Sequence, residues 1–575
     1  MKKEMIRLGS LLLAGSVLLA ACSNGGGGAD SADNTTAQNN ENTQTAGTAQ
    51  PLTSLVQASD LSKLPEVSQK RNDTIIVGLT DPAGVFTPYF NQSGYDGNVI
   101  SQLWTPLVTV DEKGLPLPNL AKSWDISKDN LTYTFHLVPG TKFSDGSLLT
   151  AEDVAFTWTL IYDKAYPGDS QIRKLNIKGG NAYTEGKAQQ IDGIKVIDPQ
   201  TISVTLEKPN ALALTILGEY VLSKAYYGKD YKFGQLDYFK NLHGSPLGNG
   251  AYKLEKFIPG QEVRLEANDY FFKGKPKTQH FIYKTAEGDA WPFIETGDTD
   301  FASFTATQEN IDKLKGLGFL NILPYTPSTY GYLQVNLENE KLKDKKVRQA
   351  LTYGLDRKSI YVDAAQGAGA VANIPASPIS WSYTTDGINP YNYDTEKAKK
   401  LLDEAGWVEG SDGIREKNGQ KLTIHLLTSK RPETDTFIAL AAENYKAIGV
   451  DLQPEIFADF NAMVAKVEGK DYDLAAFSTG MLTDPSDGIE PFVNGEIKGY
   501  NNPKLKELYE KGLSTTNIEE RKKVYKELYV LLNDELPVIF TNYKKTVYAY
   551  NGRMEHVKAS PFIGLSGNLF EWSLK

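Results

Sequence analysis

A chain of 575 residues, 40% apolar and 23% charged, has ordinary globular composition with room for two to four domains, which excludes a wholly disordered or fibrous protein. Acidic residues outnumber basic ones, 71 to 61, for a net charge of −10. A general nucleic-acid binder carries a basic surplus, so that class is excluded too.

The first 21 residues read as an address. Lys2, Lys3 and Arg7 form a basic start, and Leu8 to Ala21 is apolar or small but too short to span a bilayer. The run ends Leu19-Ala20-Ala21-Cys22, which resembles the lipobox of bacterial lipoproteins. That resemblance implies cleavage before Cys22 and lipidation of its thiol, a tether worth roughly 0.8 kcal/mol per buried methylene. Cys22 is the single cysteine, so neither an intrachain disulfide nor a cysteine-based metal site is expected. Residues 22–72 are expected to form the lipidated cysteine and a flexible linker. Its low-complexity part, 23–51, is too polar to fold and spans on the order of 30 Å as a coil.

Ordered elements begin near Asp73. Thr74 to Leu79 reads as a buried strand ended by Asp81-Pro82. Leu131, Tyr133, Phe135 and Leu137 alternate with polar residues, the pattern of a half-buried strand closed by Pro139-Gly140. Thr150-Ala151-Glu152-Asp153 has capping-box form ahead of Val154, Trp158 and Ile161 on one helix face. Two hairpins follow, turning at Asp198-Pro199-Gln200 and at Pro259-Gly260. Further helices carry Val347, Ala350 and Leu351; Ala398, Leu401 and Leu402 behind Asp394; and Tyr525, Leu528 and Leu532 behind Asn517. Strands and helices mix without a fixed repeat, which predicts an α/β protein in more than one lobe.

No catalytic motif stands out. The five histidines are far apart in sequence, and His136 and His425 fall on polar faces of strands. No nucleophile elbow, P-loop or zinc-helix motif is present, and Gly248-Asn249-Gly250 lacks dinucleotide-binding spacing and reads as a turn. Neither catalytic residues, nor a metal, nor a cofactor is expected.

An ordered series of segments resembles one family. It runs Ser123-Trp124-Asp125, Leu131 to Leu137, Lys142-Phe143-Ser144-Asp145-Gly146 and Thr150 to Phe156. It continues through Gly248 to Lys253, Leu265 to Tyr270, Val347-Arg348-Gln349-Ala350-Leu351 with Asp356-Arg357, Tyr393-Asp394 to Gly406-Trp407, and Leu536-Pro537. The resemblance is to the extracytoplasmic solute-binding proteins of peptide and nickel ABC importers, and it covers residues 73–575. It implies an α/β, two-lobed, periplasmic-binding-protein-like (type II) fold with an additional subdomain in the large lobe. The implied large lobe is 73–331 plus 544–575, with the subdomain at about 111–240. The second lobe is 332–543, and the hinge crossings fall near 332–335 and 538–543.

The resemblance further implies a membrane-tethered receptor that captures oligopeptides and hands them to the permease of an ABC importer. A monomer is expected, since both lobes must face the transporter. A receptor for many peptides must hold what they share: an ammonium, and amides that bond like a strand. By resemblance, Asp484 is the expected carboxylate for the ammonium, with main-chain groups from Gly480 and Leu482; Met481, also an expected lining residue, stands where the family carries an aromatic, a departure that bears on side-chain packing and not on the charge. At 4 Å and an effective dielectric of about 20, such a charge pair gains roughly 4 kcal/mol before desolvation. Asn91, Gly94 and Tyr95 after the first strand, and Trp381 in the second lobe, are the other expected lining residues. Read without the family, Asp484-Pro485-Ser486-Asp487 is a good turn or cap that needs no ligand. Other members bind oligosaccharide, a nickel complex or haem, and a peptide pheromone would use the same binding step. A surface adhesin or hydrolase is the alternative from another class.

Overall fold

The computed structural model describes residues 54–575 except 92, 169, 286–289, 432, 481–483, 559, 560 and 563. Cys22, the segment before it and the low-complexity stretch therefore lie outside the described residues, as do Met481 and Leu482.

The large lobe is built on a seven-stranded sheet. Its strands begin with β1 (Thr74–Leu79), which leads to helix α1 (Gly94–Leu103). The chain then forms a separate four-stranded sheet from β2 (Ala121–Ile126), β3 (Thr132–Leu137), β4 (Ile194–Asp198) and β5 (Thr201–Thr205), in the order β2-β3-β5-β4. Helix α2 (Ala151–Ile161) packs on it, opened by the Thr150–Asp153 capping box that its sequence predicts. A short helix, α3 (Ala213–Leu217), follows in this subdomain. The large sheet resumes with the hairpin β6 (Tyr252–Ile258) and β7 (Glu262–Ala267), then β8 (His280–Thr285), β9 (Phe301–Thr305) and β10 (Leu320–Tyr325). Subdomain and large sheet share one apolar core, from Ile75 and Phe281 through Phe135 and Trp158.

Between Tyr325 and Thr329 the chain changes sheet. Strand β11 (Thr329–Val335) belongs to a second, five-stranded sheet with β12 (Thr423–Ser429), β13 (Asp451–Phe457), β14 (Leu474–Gly480) and β15 (Val538–Phe540), in the order β13-β12-β14-β11-β15. Helices α4 (Lys345–Tyr353), α5 (Thr395–Glu404), α6 (Thr434–Ala447) and α7 (Ile518–Glu535) belong to this lobe, which has its own core. After β15 the chain returns, and β16 (Thr546–Asn551) inserts into the large sheet between β9 and β10. The crossings are thus 326–328 and Lys545, since Asn542 to Lys544 still pair with Gly369 to Val371 of the second lobe. The first lies ahead of the expected 332–335, because Tyr332 to Gln334 already pair with Val538 to Phe540 inside the second sheet.

The linker also ends earlier than the expected 72. Val56 exchanges backbone hydrogen bonds of 2.9 and 2.8 Å with Ile322 at the sheet edge, and Leu64 is buried among Ile294, Phe304 and Leu314. Residues 54–72 are part of the large lobe because that apolar face needs a cover.

The Gly248-Asn249-Gly250 turn has a packing cause. A Cβ on Gly248 would lie 1.9 Å from the Leu103 carbonyl oxygen, and the Gly250 amide donates to that same oxygen at 2.8 Å. Two glycines let this turn cross the end of α1 in direct backbone contact.

Candidate functional site

The groove between the lobes is defined by where strands end. β14 runs antiparallel to β11, and Gly480 is paired with Thr329, the first residue after the crossing. The carboxyl end of β14 therefore lies at the junction of the lobes, where open α/β sheets bind ligands. On one side β14 is paired with β11 along its whole length. On the other, β12, which is paired with β13 along its whole length on its far edge, pairs only with Leu474 and Ala475. Ala476 to Gly480 consequently present a strand edge that no described strand occupies. Aromatic rings flank it: Phe477 lies 6.0 Å from Tyr332 and meets Phe460 edge-on at 6.0 Å.

Among the described residues, the polar contacts between the lobes include three from the subdomain. The Ala211 amide donates to the Leu513 carbonyl at 2.8 Å, Lys174 pairs with Glu490 at 3.4 Å, and Thr516 meets Asn130 at 3.4 Å. Outside the subdomain, the Glu309 amide of the large lobe donates to the Gln366 side chain of the second lobe at 3.1 Å.

Asp484 is buried, but its charge is already used. Arg521 of α7 donates to Oδ2 at 2.8 Å and to Oδ1 at 2.7 Å, a bidentate pair. Oδ1 also accepts from the Ser486 amide and hydroxyl at 3.0 and 2.7 Å. Burial is the largest single influence on Arg521 and opposes its charge, yet Asp484 and Tyr525 together, through charge and hydrogen bonds, outweigh it and raise the guanidinium pKa above its ordinary value. The expected ammonium carboxylate is thus already paired with a cation of the protein itself, and its Oδ2 accepts from Arg521 alone among the described residues. Trp381 joins the same cluster, with the Arg521 guanidinium over its ring at 5.0 Å and Tyr525 edge-on at 5.7 Å.

The remaining expected residues lie apart from this cluster. Asn91, Gly94 and Tyr95 form the entry to α1 in the large lobe. There the Ser93 hydroxyl accepts from the Tyr95 amide at 3.1 Å, and Asn91 donates to the Ser93 carbonyl at 3.2 Å. Just before them, Tyr89 holds φ +70°, a left-handed conformation unusual for an aromatic residue. Two hydrogen bonds maintain it: its hydroxyl donates to the Tyr220 carbonyl and its own carbonyl accepts from the Tyr166 hydroxyl, both at 2.7 Å.

Arg521 escaped the sequence reading although a signal was present. It occupies the apolar stripe of α7, four residues before Tyr525, and a lone arginine on such a stripe needs a buried acid. Arg348 and Arg357 are also buried, but they donate to carbonyls: Arg348 to Leu342, Lys343, Glu535 and Leu536, and Arg357 to Ala372, Phe540, Pro390 and Tyr391. They tie loops to the second sheet.

Two lobes on separate sheets, joined by two crossings and flanking a strand edge, make this a receptor of the type II periplasmic-binding class. The chain belongs to the bacterial extracellular solute-binding proteins, family 5, whose "Middle" model matches residues 116–500. It is 29% identical over 519 residues to the oligopeptide-binding protein AppA of Bacillus subtilis, covering 88% of this chain and 92% of that one. The structure of that protein with a nonapeptide aligns with TM-score 0.71 at 26% identity over 87% of this chain and 99% of the other. Haem-binding protein A of Haemophilus influenzae is 27% identical, covering 86% of this chain and 92% of that one. NikZ of Campylobacter jejuni, solved with a nickel–histidine complex, aligns with TM-score 0.73 at 26% identity, covering 88% and 100%. No helix among the described residues is long and apolar enough to cross a membrane.

Proposed function

We propose that this chain is a lipid-anchored receptor that captures oligopeptides between its lobes and delivers them to an ABC importer. The observation that carries this reading is the unoccupied edge of β14 from Ala476 to Gly480, at the lobe junction. A peptide added there exchanges main-chain hydrogen bonds whatever its sequence, and the aromatic rings of Tyr332, Phe460 and Phe477 give its side chains apolar cover. Gly480 supplies the last amide of that edge, and Met481 and Leu482 follow it in the chain. Asn91, Gly94 and Tyr95 line the facing wall. The Asp484–Arg521 pair and Trp381 hold the second-lobe wall in shape. The likeness to a protein solved with a nonapeptide supports the ligand class, and the lipobox-like sequence before Cys22 supports the tether.

Mass spectrometry of ligand released from the purified protein, followed by titration with that peptide, tests the reading. A haem, a nickel complex or a sugar as the sole released ligand overturns it. Substitution of Cys22 by Ser is expected to abolish incorporation of labelled palmitate and to release the protein from the membrane.

A further inference from the structure

Glu219 follows α3, and its loop is rigid. The Val108 amide donates to the Gly218 carbonyl at 2.9 Å and the Leu107 amide to the Glu219 carbonyl at 3.2 Å. A Cβ on Gly218 would lie 2.5 Å from the Val108 Cβ. The next residue, Tyr220, is the one whose carbonyl holds the strained Tyr89. Glu219 therefore sits beside the turn that leads to Asn91, Gly94 and Tyr95. The helix that precedes it, α3, begins two residues after Ala211, which bonds Leu513 of the second lobe.

Its side chain is half-buried, yet among the described residues its carboxylate has no hydrogen-bond or ion-pair partner. The fully buried acids each have at least one partner: Asp96 the Gly84 and Val85 amides on Oδ1, although its Oδ2 has none, Asp163 Tyr231 and the Gly234 amide, Asp300 Arg71, and Asp473 Lys341. An acid that serves only structure is satisfied locally; an unsatisfied one held by a fixed loop calls for a partner from outside.

We propose that Glu219 receives a positive group of the ligand, an N-terminal ammonium or the basic side chain of a lysine or arginine, as the lobes close. This rests on the peptide reading above. Desolvation alone raises the Glu219 pKa to about 7, and a bound cation would relieve that penalty. The neighbouring Tyr89 hydroxyl, pushed well above its ordinary pKa first by burial and then by the Glu219 charge, stays protonated.

The test is competitive capture from a random pentapeptide library with one fixed lysine, alongside the same library N-acetylated and the same library with norleucine for lysine, read by mass spectrometry. The wild-type protein is expected to enrich one cationic form about tenfold or more over its neutral counterpart, and which counterpart loses identifies the ammonium or the side chain as the source. Glu219→Gln is expected to abolish that preference without weakening capture of the neutral peptides, while Glu219→Asp retains part of it. Circular dichroism confirms that both variants fold. Wild-type capture with no preference for either cation, or a preference that survives Glu219→Gln, overturns the role of Glu219 and leaves the peptide reading standing. Failure of the wild type to capture any library overturns both.

Discussion

The two lobes carry two acids with opposite fortunes, one buried and one half-buried. Asp484, in the second lobe, has a guanidinium and a serine on its oxygens. Glu219, in the large lobe, has no partner among the described residues. The first is an acid whose charge stabilises the fold; the second is one whose charge the fold tolerates at a cost. A receptor that must grip a cation and let it go is better served by the second, because a ligand has nothing to displace there.

The sharpest way to break this contrast is to remove each acid in turn. Asp484→Ala leaves Arg521 buried with no counter-charge, which costs about 3–5 kcal/mol. Urea unfolding should show it, and the fluorescence of Trp381, which lies under Arg521, reports on that lobe. Glu219→Ala should cost under about 1 kcal/mol, since no interaction is lost. A small loss at Asp484, joined to a loss of discrimination between free and acetylated peptides, would return the ammonium role to Asp484.

A smaller effect concerns pH. The Glu219 pKa rises from 4.5 to about 7 on folding, so between those values the folded state binds more protons than the unfolded one. Stability then falls as pH rises through that window. Because Glu219 keeps some contact with solvent, the loss is about 1–2 kcal/mol, less than the full shift converts to. Thermal unfolding of the ligand-free protein should therefore show a lower transition at pH 8 than at pH 5 from this residue. Glu219→Gln should remove that component, raising the transition at pH 8 by about 1–2 °C and leaving it unchanged at pH 5. An unaltered pH profile in the variant would mean that Glu219 is well solvated.

What could be read from the sequence was local. The capping residues Thr150, Asp394 and Asn517 open their helices as expected, and the hairpin turning at Pro259-Gly260 has the expected strands, because each signal and its cause lie within a few residues. The hinge was misplaced by several residues for the opposite reason. Thr329 to Val335 alternates identically in either sheet, and its membership is settled by β14, some 150 residues later. Asp484 was visible as a residue but not as a partner, because Arg521 lies 37 positions away. Glu219 offered no signal at all. Its character is a missing contact, and sequence does not record which contacts a folded chain fails to make.

The smallest prediction concerns the edge of β14, which should treat every peptide alike. If Ala476 to Gly480 pair with the ligand main chain, methylating single backbone nitrogens of a bound peptide removes one donor at a time and leaves side chains and charge untouched. Each bond is worth about 0.5–1.5 kcal/mol net, so affinity should fall about 2–10-fold at alternate positions, those whose N–H faces the strand, and little at the positions between. Titration of a methyl-scanned series would show that two-residue period. A flat response would mean that side chains, not the strand edge, hold the peptide, and Glu219 would then stand as an anchor without a rail beside it.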